Sequence, residues 1–117
     1  MTLKQATQKQ EEFMKTYFFI QTRPELSMAE KLVLHTIMHH ARNKKTAWPS
    51  ERRIARLSGL SERHVKRIVK RLSDLGLIHV CRENRNNTYT LIQGPGTLFY
   101  KWRKEYSDII LNVVSAA

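Results

Sequence analysis

Arg63, Lys66, Arg67, Lys70 and Arg71 stand three and four residues apart, the spacing that gathers side chains on one side of an α-helix. Guanidinium and ammonium groups arrayed in this way do one kind of chemistry well: they hold anions. The acids of the same segment are confined to its ends, at Glu62 and Asp74. A helix face that is merely solvated usually mixes signs through i,i+4 pairs. The formal charge of the whole chain, +11 at pH 7, points the same way, to a polyanionic partner.

The elements that must carry these cations are legible around them. Val65, Ile68, Val69 and Leu72 form the apolar stripe opposite, Ser61 is placed to cap the helix, and Gly76 to stop it. A shorter helix precedes it, capped by Ser50 and turning Ile54, Ala55 and Leu57 inward. Ser58-Gly59-Leu60 separates the two, with Gly59 free to take the positive φ of a sharp reversal. A basic helix behind a glycine-centred turn is the arrangement that lays one helix in the DNA major groove. On that geometry Ser61, Arg63, His64 and Arg67 face base edges, where the arginine fork matches guanine O6 and N7. Lys66, Lys70, Arg71 and Arg52 meet phosphates, joined by Ser50 and Arg53 at the start of the first helix.

Leu77 to Arg82 and Thr88 to Ile92 favour β-structure on either side of the turn-forming run from Glu83 to Asn87. The result is a hairpin with a polar tip, where Arg85 can enter a minor groove or hold a phosphate and Arg82 flanks it. Cys81, the only cysteine, falls in the apolar run LIHVC and is expected to be a buried, inert thiol; no intrachain disulfide is available.

The segment from about Met28 to Thr90, roughly half the chain, resembles the helix-turn-helix family of plasmid and phage replication proteins and small bacterial regulators. AWPS (Ala47 to Ser50), LSGLS (Leu57 to Ser61) and LSDLGLI (Leu72 to Ile78) carry the likeness. The resemblance implies a winged-helix fold: a second helix across the DNA backbone, a third in the major groove, and a hairpin wing beside it. It also implies that Trp48 packs under its loop and that Thr46 to Trp48 can add a strand beside the wing. The expected fold class is mainly α with a small β-hairpin, the winged helix-turn-helix core flanked by extra N-terminal and C-terminal helices.

Those flanks divide the chain into residues 1–24, a helical extension; 25–93, the core domain; and 94–117, a C-terminal helix. Residues Thr2 to Phe13 are polar, and an apolar patch arrives at Phe13, Met14, Tyr17, Phe18 and Ile20 before Pro24 breaks the chain. Ser27-Met28-Ala29-Glu30 has the form of a capping box. The helix behind it runs to about Arg42 and turns Leu32, Val33, Thr36, Ile37 and His40 to one side. After Gly94-Pro95-Gly96, Thr97 caps a last helix with a large stripe of Phe99, Trp102, Tyr106, Ile109, Ile110 and Val113. That stripe either covers the body of its own chain or pairs with its twin in a homodimer, and dimerisation is the expectation.

Other function classes find less support. His35 and His39 share a helix face, but Thr36 stands where a zinc-protease motif needs glutamate, so no metal is assigned. There is no P-loop and no nucleophile elbow, so neither an enzyme nor a cofactor is expected. RNA-binding signatures are missing as well. No apolar stretch suggests a signal peptide or a membrane span, which makes the cytoplasm the expected location, in association with a bacterial nucleoid or a plasmid. Double-stranded DNA is the expected partner. The preferred role is transcriptional regulation, with a plasmid or phage replication initiator or DNA-segregation accessory protein as the rival. A winged-helix module that binds proteins is the alternative of another class.

Overall fold

The computed structural model describes residues 20–41, 46–47, 49–83 and 86–116. Its elements are α1 (Met28–Ala41), β1 (Thr46–Ala47), α2 (Glu51–Ser58), α3 (Glu62–Asp74), β2 (Ile78–Glu83), β3 (Asn86–Leu91) and α4 (Leu98–Ala116). The fold is mainly helical with an antiparallel hairpin, as the sequence leads one to expect.

Short-range chemistry sets the helix ends. Ser27 and Glu30 close a reciprocal capping box on α1: the Ser27 N–H donates to Glu30 Oε1 at 2.7 Å, and the Glu30 N–H donates to Ser27 Oγ at 3.1 Å. Ser50 Oγ accepts the Arg53 N–H at the start of α2, and Ser61 Oγ accepts the His64 N–H at the start of α3. Gly59 ends α2 with φ 72°. At the end of α3, Leu77 N–H donates to the Leu72 carbonyl and Gly76 N–H to that of Ser73. Gly76 sits at φ 78°, and Leu72 and Leu77 are both fully buried. This is a Schellman stop with its hydrophobic contact, and it aims the chain into β2. Thr97 caps α4 by accepting the Tyr100 N–H.

The three strands form one antiparallel sheet in the order β1-β3-β2, with Val80 opposite Tyr89 and Ala47 on the other side of Tyr89. Pairing continues to Glu83 opposite Asn86, so the strands run closer to the tip than β-propensity predicts. Arg85 and its tip, like Trp48, the loop after Ala41 and the residues before Ile20, lie outside the described residues. The expected N-terminal helix and its patch at Phe13, Met14, Tyr17 and Phe18 fall there too.

One core joins the described elements. Ile20, the α1 residues Val33, Leu34, Ile37 and Met38, Ile54 of α2, the α3 stripe, Tyr89 of β3, and Phe99 and Trp102 of α4 belong to a single cluster. Several expectations change here. On α1 the buried face is Glu30, Val33, Leu34, Ile37, Met38 and Ala41, so Leu32 is exposed; the inward face is turned by about one residue from the expected one. Leu57 is also exposed, because on the two-turn α2 it is Ser58, not Leu57, that returns to the interior and donates to the Ile54 carbonyl at 2.6 Å. Cys81 is exposed. Strand alternation puts it on the face of His79, away from Ile78. Phe99 and Trp102, expected at a dimer contact, are 1% and 2% exposed inside their own chain. They serve the body of the subunit, and Tyr106 packs partly buried beside them.

Candidate nucleic-acid interface

The apolar stripe of α3 leaves Arg63, Lys66, Arg67 and Lys70 exposed on its outer side. Ser61, at the foot of the helix, is exposed too, while His64 is half-buried. Each capping serine uses its oxygen as an acceptor, so its hydroxyl proton remains available to an anion such as a phosphate. Arg52 and Arg53 are exposed on α2 beside Ser50, and Arg56 joins them one turn on. Arg82 is exposed on β2.

The cations are not equivalent. Arg71 leaves the row: its Nε is ion-paired with Glu30, and its NH2 group donates to the Glu25 carbonyl at 3.4 Å. Its partners within the chain are therefore on and before α1. The physical reason is that Glu30, 7% exposed, presents a buried carboxylate that needs a positive partner.

The wing, α2 and α3 converge at Glu51. Asn87 of β3 donates its side-chain amide to Glu51 Oε1 at 2.7 Å and contacts the Tyr89 hydroxyl at 3.2 Å. Lys66 Nζ of α3 lies 4.0 Å from Glu51 Oε2. Burial pushes the Tyr89 phenol above its ordinary pKa of 10.0; the Asn87 hydrogen bond works against this and the Glu51 charge adds to it. Sequence spacing offered no signal for Glu51, Asn87 or Tyr89, since the amide and the carboxylate are 36 residues apart.

A second cluster fixes α4. The Arg23 guanidinium lies over the Trp102 ring at 5.3 Å and pairs with Glu105 at 2.7 Å. Of the stripe expected at a dimer contact, the side chains of Ile109, Ile110 and Val113 lie outside what the structure describes. Among the described residues no group of three His, Cys, Asp or Glu is placed to hold a metal, and no helix is long and apolar enough to cross a membrane.

Residues 25–78 match the model of a helix-turn-helix domain family. No curated protein sequence matches the chain. Among solved structures, that of NadR in complex with 4-hydroxyphenylacetate aligns over 99% of this chain and 79% of its own, with 14% identity and a TM-score of 0.51. Bordetella bronchiseptica BpsR, described for the regulation of its DNA binding by 6-hydroxynicotinic acid, aligns over 97% of this chain and 79% of its own, with 18% identity and a TM-score of 0.49. Residues 25–78 thus resemble a helix-turn-helix domain, and with the β2–β3 hairpin that follows α3 the chain has a winged-helix fold.

Proposed function

We propose that the chain is a sequence-specific double-stranded DNA-binding protein that regulates transcription, with α3 seated in the major groove. One observation carries this reading: Arg63, Lys66, Arg67 and Lys70 are all exposed on a helix whose opposite side is wholly committed to the core. In a groove, Ser61, Arg63, His64 and Arg67 read base edges. Lys66, Lys70, Ser50, Arg52 and Arg53 hold phosphates, and Arg82 and Arg85 bring the wing to the neighbouring groove or backbone. Arg71 stays with Glu30. A two-fold dimer through the distal part of α4, where Ile109, Ile110 and Val113 continue the apolar stripe, is part of the proposal.

Selection of the purified chain against random duplex pools, with sequencing of the retained fraction, tests it. A defined motif is expected, and a palindrome if the protein acts as a two-fold dimer. Neutralising about six phosphates makes affinity fall roughly a thousandfold between ~50 and ~200 mM salt. A chain that retains no duplex at ~50 mM salt is not a DNA-binding protein. A single motif upstream of a gene supports transcriptional control, whereas iterated copies at an origin turn the role to replication.

A further inference from the structure

We infer that Glu51 is a positioning residue of this interface, fastening the wing to the foot of α2 and competing with DNA phosphate for Lys66. The inference rests on the DNA-binding reading for its second half only. Three observations carry it. Asn87, a residue of the wing strand, donates to Glu51 Oε1 at 2.7 Å, and the same amide touches the hydroxyl of Tyr89, which is fully buried. The wing is therefore held to α2 through a side chain anchored in the core. Second, Glu51 Oε2 is buried with no hydrogen-bond partner among the described residues, and Lys66 Nζ stands 4.0 Å away, too far for a hydrogen bond and near enough for attraction. Lys66 is exposed and flexible, with three donors to place.

Third, Glu51 is the first residue of α2, between the capping Ser50 and the exposed Arg52 and Arg53. A helix start flanked by arginines attracts phosphate. A carboxylate at that spot repels it and offers Lys66 an internal partner. Binding that depends on charge alone bears the whole of this repulsion. A site that also engages the base-reading residues of α3 offsets it, and it does so only while the wing keeps its place. Glu51 thus restrains sequence-neutral binding and preserves the geometry that the selective site needs.

Glu51→Gln keeps an acceptor for Asn87 and removes the charge. Its affinity for a random-sequence duplex is expected to rise several-fold, and its log–log salt slope to steepen, by at most about 0.9, as Lys66 is no longer shared between Glu51 and its phosphate. Lys66→Ala then costs more affinity in the Glu51→Gln background than in wild type. Glu51→Ala also removes the wing contact, so the ratio of selected to random duplex affinity falls several-fold. The same ratio in Glu51→Ala as in wild type, or a Glu51→Gln protein with unchanged random-duplex affinity and slope, overturns the inference.

The wing contact has its own readout, which needs no DNA. The Asn87 side-chain amide protons, followed by NMR, shift between wild type and Glu51→Ala if the contact exists; identical resonances refute it. Wild-type protein that binds no duplex defeats the DNA-binding reading and the competition for Lys66 together, and the Asn87 resonances still decide the fastening of the wing.

Discussion

Arg71 of α3 is ion-paired with Glu30 of α1, the same carboxylate that accepts the Ser27 N–H at 2.7 Å in the α1 capping box. One side chain thus both starts a core helix and ties α3 to it. Glu30→Ala removes the side-chain half of the capping box, while Ser27 Oγ keeps the backbone N–H of residue 30, and it leaves the Arg71 guanidinium without its carboxylate. The expected loss is about 1–3 kcal/mol of stability. Arg71 is half-exposed, so the ion pair itself is the smaller part. Thermal unfolding followed by circular dichroism should show a Tm lower by roughly 4 °C or more. Glu30→Gln keeps the acceptor and should lose less than half as much. Equal melting of Glu30→Ala and wild type would mean that this linkage contributes nothing.

Lys70 and Arg71 are neighbours in sequence with different partners, and their alanine variants should separate cleanly. Lys70 is exposed with no described ion pair, so Lys70→Ala should weaken all duplexes alike and reduce the salt slope by about 0.9. Arg71→Ala should leave that slope near the wild-type value and lower the Tm instead. Titrations at several salt concentrations, run beside melting curves, make the comparison. If Arg71→Ala lowers the slope as much as Lys70→Ala, Arg71 exchanges Glu30 for a phosphate on binding.

Gly59 holds φ 72° between α2 and α3, and a Cβ added there would meet nothing within 4 Å. Any cost of substitution is therefore backbone strain alone. Gly59→Ala should lose about 1–2 kcal/mol, the ordinary cost of a left-handed conformation for an L-residue. Gly59→Asn, whose short polar side chain tolerates that region, should lose less. Chemical denaturation resolves the difference, and an alanine variant as stable as the asparagine one would argue that the turn relaxes.

What the sequence disclosed and what it hid divide by range. The caps at Ser27, Ser50, Ser61 and Thr97, the stops at Gly59 and Gly76, and the stripe of Val65, Ile68, Val69 and Leu72 all depend on residues within a few positions of one another, and each was legible. Leu32 and Leu57 misled because apolar residues flank the true inward face, and only tertiary packing chooses the phase. Phe99 and Trp102 formed an evident stripe, but nothing local says whether such a stripe meets its own chain or a copy. The pairs Arg71–Glu30 and Asn87–Glu51 join distant elements. Polar side chains carry no periodic signature of their partners, so the row of cations was visible from spacing while its internal sorting was not.

Tyr89 supplies a pH dependence whose sign can be worked out. Its phenol is buried, and burial disfavours the phenolate, so its pKa is raised above 10.0, with the Glu51 charge adding and the Asn87 hydrogen bond subtracting. The folded state therefore holds the phenolic proton more tightly than the unfolded chain does. The stability this contributes is complete below the unfolded value of 10.0 and is lost as pH rises from there through the higher folded value. Within that window the loss is at most about 1.4 kcal/mol per pH unit. Lysines titrate over the same range in any variant, so the informative quantity is the difference between wild type and Tyr89→Phe. Tyr89→Phe should fall less steeply than wild type above pH 10, the two curves converging as alkali removes the advantage of the hydroxyl. Denaturant midpoints measured from pH 8 to pH 11 give the comparison, and parallel curves would show that the Tyr89 phenol titrates alike in both states.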